Sequence, residues 1–296
     1  MIWQIFRFLS LCLCLLAAVL PIKSIVSDPL PPSLDASPYR ARASRATASE
    51  ASGGGPFRTL WAKPLAVSGR AGAQTKSNQL IDQMIDALGG PAFLDVKDIH
   101  TTGRFFAFTR GQLSGSDIFS DYIKFPDMER VEFGPVTRRT TQINRGKEGW
   151  KIVGKRSPET QSAGETEEFL KGVKTGFDYV LRFTLKERLT TTQSLPTEMI
   201  DFKRVDVVEL RDPDKNRIRF YIDRDTHLPT KMQVRRTDES KLHEEQYSNW
   251  HKFEGVMTPL YLSRLTDNVK TMEIHLDTAD YNSGLSDNLF APPASK

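Results

Sequence analysis

The sequence predicts a mainly β chain with helices, an α+β fold built as an incomplete antiparallel β-barrel of about ten or eleven strands. Three observations predict it. Short segments of alternating apolar and polar residues recur between Gly103 and Asp277, separated by Gly, Pro, Asn and Asp. One amphipathic helical stretch precedes them, and one run of helical spacing interrupts them midway. A single sheet of that many strands accumulates twist and must coil, split or close. If it curls, its concave side is apolar, and an N-terminal helix and a central helical insert are the covers available for it.

The N-terminus bears on the compartment. Met1 to Arg7 carries one positive charge, and Phe8 to Leu20 is an apolar run ended by Pro21. That run has the length of a signal-peptide core and falls short of the ~20 residues that span a bilayer. Residues 1–27 are therefore expected to be a signal peptide. Cleavage near Ser24 or Ser27 would leave Ile22 or Ile25 at the third position before the cut, so an uncleaved N-terminal anchor stays open as the alternative. The two cysteines, Cys12 and Cys14, both lie in this run and follow leucines rather than small residues, which argues against self-lipidation. Removing the segment leaves no cysteine for a disulfide, a metal site or a thiol nucleophile.

Residues 28–76 are rich in Pro, Ser, Ala, Gly and Arg and lack apolar periodicity, the composition of a disordered linker. The formal charge of +4 belongs to this end of the chain. Arg7 and Lys23, then seven basic residues against Asp28, Asp35 and Glu50, leave residues 77–296 at −2 with both signs mixed. A nucleic-acid-binding face needs concentrated positive charge, so no nucleic-acid partner is expected.

The domain, residues 77–296, opens with Leu80, Ile81, Met84, Ile85 and Leu88 on one helical face. Ser77 is the expected N-cap, and Gly89-Gly90 the left-handed stop. In the first strand, Gly103 to Thr109, Phe106 and Phe108 share one face and Phe105 takes the other. Ser116 to Phe125 places Phe119, Ile123 and Phe125 together, interrupted by Asp121. Met128–Phe133, Arg138–Arg145 and Trp150–Val153 follow. Glu165 to Leu189 has helical spacing and is expected to break at Gly172 and Gly176. The β pattern resumes at Val205–Leu210, Arg217–Ile222, Lys231–Arg236, Glu244–Asn249, Pro259–Thr266 and Lys270–Asp277. Asp212 to Asn216 and Thr266 to Asn268 have turn composition.

Several pieces recur in a known order. They are Ala87-Leu88-Gly89-Gly90, Ile123-Lys124-Phe125-Pro126-Asp127, Gly146-Lys147-Glu148-Gly149-Trp150, Tyr221-Ile222-Asp223-Arg224-Asp225-Thr226-His227-Leu228-Pro229, Phe253-Glu254-Gly255-Val256-Met257-Thr258-Pro259 and Leu289-Phe290-Ala291-Pro292-Pro293. Together they resemble the outer-membrane lipoprotein-sorting, LolA-like family of bacterial periplasmic carriers. The resemblance covers residues 77–293. It implies a half-barrel lidded by helices, a periplasmic location, and lipid or lipoprotein acyl groups as partners, with envelope proteins and transient membrane contact as further partners.

The residues themselves supply a physical case for an acyl site. Ten of the phenylalanines fall between Phe93 and Phe183. Each CH2 withdrawn from water is worth ~0.8 kcal/mol, so part of one acyl chain would bind usefully. The expected acyl-cavity residues are Phe106, Phe108, Phe119, Ile123, Phe125, Trp150 and Phe177; against this stands the reading in which they simply fill a core. An apolar cavity of several hundred cubic ångströms would favour a container over a scaffold.

Catalytic chemistry finds little support. His243-Glu244-Glu245 resembles the start of a zinc-protease motif, but Tyr247 stands where the second histidine belongs. No Gly-x-Ser-x-Gly nucleophile or phosphate loop occurs. Asp223 and Asp225 sit in a tight turn, where a structural role is expected. The sequence therefore predicts a non-enzymatic envelope protein with no metal and no cofactor, either an acyl-chain carrier or sensor, or a structural or interaction module with a filled core.

Overall fold

In the computed structural model residues 68–293 are described; the expected signal segment and most of the expected linker lie outside them. The first element, α1, runs Ser68–Leu88. It starts well before Ser77, because residues 68–76 contain no proline and alternate good helix formers with only two glycines. Ser77 is consequently no N-cap. Its side chain is fully buried, with its hydroxyl 2.8 Å from that of Thr192. Leu80, Ile81, Met84 and Leu88 form the buried stripe, as their spacing predicts. Gly89 and Gly90 end the helix at φ +129° and +56°, and a short helix α2, Pro91–Leu94, seats Phe93 in the core.

The strands are β1 Asp98–Thr109, β2 Gln112–Lys124, β3 Met128–Phe133, β4 Thr140–Arg145, β5 Glu148–Val153 and β6 Glu159–Thr160. After the helical insert come β7 Thr191–Ile200, β8 Lys203–Arg211, β9 Arg217–Asp223, β10 Pro229–Arg235, β11 His243–Phe253, β12 Val256–Thr266 and β13 Val269–Tyr281. All thirteen lie in one antiparallel sheet in the order β6-β5-β4-β3-β2-β1-β13-β12-β11-β10-β9-β8-β7. Consecutive strands pair, as hairpins dictate, except β6 and β7; one further pairing joins distant strands, β1 with β13. That seam joins the two halves into an open sheet whose edges are β6 and β7.

Two strands exceed the eleven expected. β6 has two residues, too few to form a pattern. β7 carries Pro196 and few apolar residues. It is an edge strand, and its register against β8 shifts between Leu195 and Glu198, around the proline that cannot donate to a ladder. Packing of α1 along β7 and the Ser77–Thr192 hydroxyl pair cover that edge from one side.

The insert connects β6 to β7, that is, one free edge to the other, and so is led across the face between them. It comprises α3, Ala163–Thr175, and α4, Phe177–Arg182. Ser162 and Glu165 form a capping box at the start. The break falls at Gly176 alone, in extended backbone, while Gly172 lies buried inside α3. Phe169, Val173, Val180 and Leu181 are buried. Val180 and Leu181 join one core with α1, α2 and residues of β1, β2, β3 and β8 to β13.

The outer surface of α3 is tied down by charge. Arg236, 5% exposed, pairs with Glu168 at 2.8 Å, Glu239 at 2.6 Å and Asp238 at 3.3 Å. Lys171 reaches Glu167, Glu168 and Asp238, and His243 is 2.7 Å from Glu239. This clasp fastens the insert to the turn between β10 and β11. At the β9–β10 turn, Asp223 has the structural role expected, accepting from the backbone of Asp225 and Thr226 at 2.9 and 3.0 Å.

Candidate functional site

Between the insert and the sheet lies a cavity of about 140 Å³. From α2 and the insert it is lined by Phe93, Phe169, Val173, Phe177 and Arg182, and from the sheet by Ile99, Ile123, Phe125, Tyr247, Trp250, Leu262, Ile274 and Tyr281, among others. Phe177 is the hub of an aromatic wall, with ring centroids 6.2 Å from Phe93, 6.1 Å from Phe220 and 5.3 Å from Tyr247. Tyr247 continues it to Trp250 at 6.1 Å. The space is of the size at which an apolar cavity takes up one benzene ring.

Of the residues the sequence nominated, the structure brings Ile123, Phe125 and Phe177 to this cavity. Phe106, Phe108, Phe119 and Trp150 stand elsewhere. β1 begins at Asp98, so its inward row is Ile99, Thr101, Gly103, Phe105 and Ala107, all buried. Phe106 and Phe108 continue the other row, which starts with His100, Thr102 and Arg104. Phe106 packs edge-on to His275 at 5.2 Å, and the Lys270 ammonium sits 5.4 Å from the Phe108 ring centroid. Reading the strand from Asp98 rather than Gly103 would have exposed that polar row. Phe119 points inward, but it lies opposite Phe133 in the packed core, away from the cavity. Trp150, half-buried on β5, pairs with Ile143 and Thr160. Phe93, Phe169, Tyr247 and Tyr281 line the cavity without any local signal of it, because they come from four separate elements or their ends.

The interior also carries charge that no periodicity announces. Arg264 Nε donates to Glu245 Oε1 at 2.7 Å, and the Tyr247 hydroxyl donates to the other Glu245 oxygen at 2.7 Å. Burial, then the Glu245 carboxylate, pushes the Tyr247 hydroxyl far above its ordinary range. Burial likewise pushes Tyr281 up to about 12; its hydroxyl is 2.7 Å from that of Thr258. Both phenols stay protonated at any physiological pH.

Asp121, 1% exposed, lies across the strands from Thr101 and Val131. Burial raises its carboxyl well above the usual carboxylate range; neighbouring Glu129 raises it further and Arg264 opposes. The native chain therefore holds a proton there that the unfolded chain releases. This contribution to stability is fully present below the ordinary carboxylate range and is lost as pH rises through the raised native value. Asp121→Asn is expected to flatten that decline and to raise Tm at pH 8, leaving Tm at pH 4 nearly unchanged. Thermal melts across pH would refute it if the two proteins declined in parallel.

Among the described residues, no group of three His, Cys, Asp or Glu side chains is disposed to hold a metal ion. His243 meets Glu239 rather than a second imidazole, and burial lowers its basicity. No helix among the described residues is long and apolar enough to cross a membrane.

No protein-family model matches the chain, and no curated protein matches it. Solved structures do. A DUF1329 family protein from Desulfovibrio piger is 14% identical, with 74% of this chain and 97% of that chain covered at a TM-score of 0.50. A LolA superfamily protein from Nitrosomonas europaea is 15% identical, with 73% and 97% covered at a TM-score of 0.46. The chain shares its fold with that DUF1329 family protein. At 14% identity that likeness is one of fold alone. The sheet here is joined at β1–β13, and the cavity lies between the insert and the strands about that seam, β1 to β3 and β11 to β13.

Proposed function

We propose that this protein is a non-enzymatic cell-envelope protein that binds an acyl chain of a lipid or lipoprotein between the insert and the sheet, as a carrier or sensor. The observation that carries this reading is the cavity itself: an aromatic and aliphatic chamber beneath a separate segment of chain, the insert, which is broken at Gly176. Ligand sites are commonly apolar chambers with few polar groups. Each methylene transferred from water contributes ~0.8 kcal/mol, so micromolar binding takes about ten of them. Gly176, between α3 and α4, is where the insert would bend outward to admit a longer chain. The apolar run from Phe8 to Leu20 and the basic Arg7 support export to a periplasm, with tethering by an uncleaved segment as the variant reading. Envelope proteins and a membrane surface are the partners from which such a chain would come.

The modest volume favours a second reading, a structural or interaction module whose core is essentially filled. Native mass spectrometry of the full chain, purified from a bacterial envelope, separates the two. Near-stoichiometric lipid or acyl mass is the expected result. A clean apo mass, with no uptake of a fluorescent fatty acid or of the neutral probe N-phenylnaphthylamine, would establish the module instead. Trp250, in the wall, should report uptake by a change in emission that Trp250→Phe removes.

A further inference from the structure

Alternation on β1 turns Arg104, Phe106 and Phe108 to the face of the sheet opposite the cavity-lining Ile99 and Thr101. Paired residues share a face, so the register carries this outer row across four strands. One rung runs Ile118, Arg104, His275 and Tyr261, from β2 through β1 and β13 to β12. Beside it, Phe106 lies opposite Glu273 and Phe108 opposite Leu113. The His275 ring stands edge-on to Phe106 at 5.2 Å and to Tyr261 at 5.1 Å. Lys270 reaches over Phe108 and pairs with Glu273, which also accepts from the Tyr261 hydroxyl at 2.8 Å. Leu113 is 61% exposed and Ile118 45%, while Phe106, Phe108 and Tyr261 are half-buried. A contiguous apolar patch on a polar sheet face marks an interaction site.

Elsewhere on this face the chain covers its own apolar groups. Val205, Val207 and Tyr221 are buried, with Leu195 and Ile200 of β7 packed against them. Arg130, in line with Tyr122 and His100, donates to the Leu289 carbonyl at 3.2 Å, and Phe290 next to it is fully buried. At the seam the charge indicates what the cover is. Glu273 is held by Lys270, whereas Arg104 and Arg110, both exposed, make no ion pair among the described residues. A second copy meeting this face across a two-fold axis would bring those arginines toward their own kind. A bilayer needs apolar groups that reach ~5–10 Å into it, and these rings are half-sunk in the strand surface with Glu273 among them. We propose that the outer face of the seam is a docking surface for an acidic, amphipathic segment of a partner protein. Its apolar side chains cover Phe106, Phe108, Leu113 and Ile118, and its carboxylates meet Arg104 and Arg110. Aromatic residues and arginine are what protein interfaces concentrate. The surface lies across the sheet from the cavity, so it stands whether or not the cavity takes a ligand.

The test uses the full-length protein and the fluorescein-labelled peptide Asp-Phe-Glu-Glu-Leu-Phe-Asp-Leu-Leu-Glu. One control peptide replaces each Asp and Glu by Lys, and the other replaces each Phe and Leu by Ser. Anisotropy is expected to show saturable binding of the acidic peptide, about tenfold or more tighter than of either control and weakened by salt. Ile118→Asp should reduce that binding by a similar factor, and Leu113→Asp serves in its place if that variant does not fold. Arg104→Glu combined with Arg110→Glu should transfer the preference to the lysine peptide. Absence of binding by the acidic peptide, or equal binding of the lysine peptide to the wild type, would overturn the proposal. So would binding that none of these substitutions alters, since the peptide would then sit elsewhere. Light scattering that shows a dimer dispersed by Ile118→Asp would give the face to a second copy. Sedimentation with phosphatidylglycerol vesicles, abolished by Ile118→Asp, would give it to a membrane. Either result overturns the proposal.

Discussion

Arg236→Ala is expected to lower the unfolding free energy by about 2–3 kcal/mol and to release α3 before the sheet unfolds. Arg236 is nearly buried and holds Glu168, Asp238 and Glu239 together. Removing it leaves three carboxylates close together, with Lys171 still paired to Glu168 and Asp238. A fully buried pair broken in this way costs about 3–5 kcal/mol. The lower figure applies because Asp238 is 42% exposed and Glu168 20%, so water takes up part of the lost interaction. Hydrogen exchange should show the effect first in residues 163–175. Glu168→Gln, which leaves Arg236 two carboxylates, should cost under about 1 kcal/mol. If the insert is the cover of a binding chamber, Arg236→Ala should also speed uptake of N-phenylnaphthylamine. Equal protection of α3 in both proteins would show that apolar packing under Phe169 and Val173, not the clasp, holds the insert.

Gly103→Ala is expected to destabilise by about 3 kcal/mol or more, a large effect for one methyl group. Gly103 lies on β1 opposite Leu276 of β13, at a shift in their register. A Cβ at Gly103 would overlap the carbonyl oxygen of His275, which is main chain and cannot swing aside. Relief requires β1 and β13 to separate. That seam is the only pairing in the sheet between strands far apart in sequence, and it is what makes two meanders one sheet. Denaturant titration should show a lower midpoint and lower soluble yield. Thr102→Ala, one residue away, removes only an exposed hydroxyl pair with Thr278 and should cost within about 0.5 kcal/mol. A wild-type midpoint for Gly103→Ala would mean that the seam yields to the methyl.

Local order was legible in the chain because hairpins and amphipathic helices write their periods into adjacent residues. The stripe on α1, the Gly89-Gly90 stop, the limits of β3, the helical insert and eleven of thirteen strands follow from spacing alone. Ile123, Phe125 and Phe177 reached the cavity because an inward row and a helical face are each recognisable within one element. Elsewhere the local signal failed for stated reasons. Edge strand β7 buries little and so lacks alternation, and β1 read from Gly103 hid the polar row that sends Phe106 and Phe108 outward.

By itself, then, the sequence determined an open antiparallel meander with two helical covers, since those depend on neighbours a few residues apart. The tertiary structure alone decided the pairing of β1 with β13, the clasp on Arg236, and the meeting of Arg182, Asp178, Phe93 and Phe125 at one cavity wall. Apart from the local pairs of Arg182 with Asp178 and of Arg236 with Asp238 and Glu239, these contacts join residues tens to more than a hundred positions apart. No sequence period reports them, because they arise only when burial and charge are settled across the folded sheet.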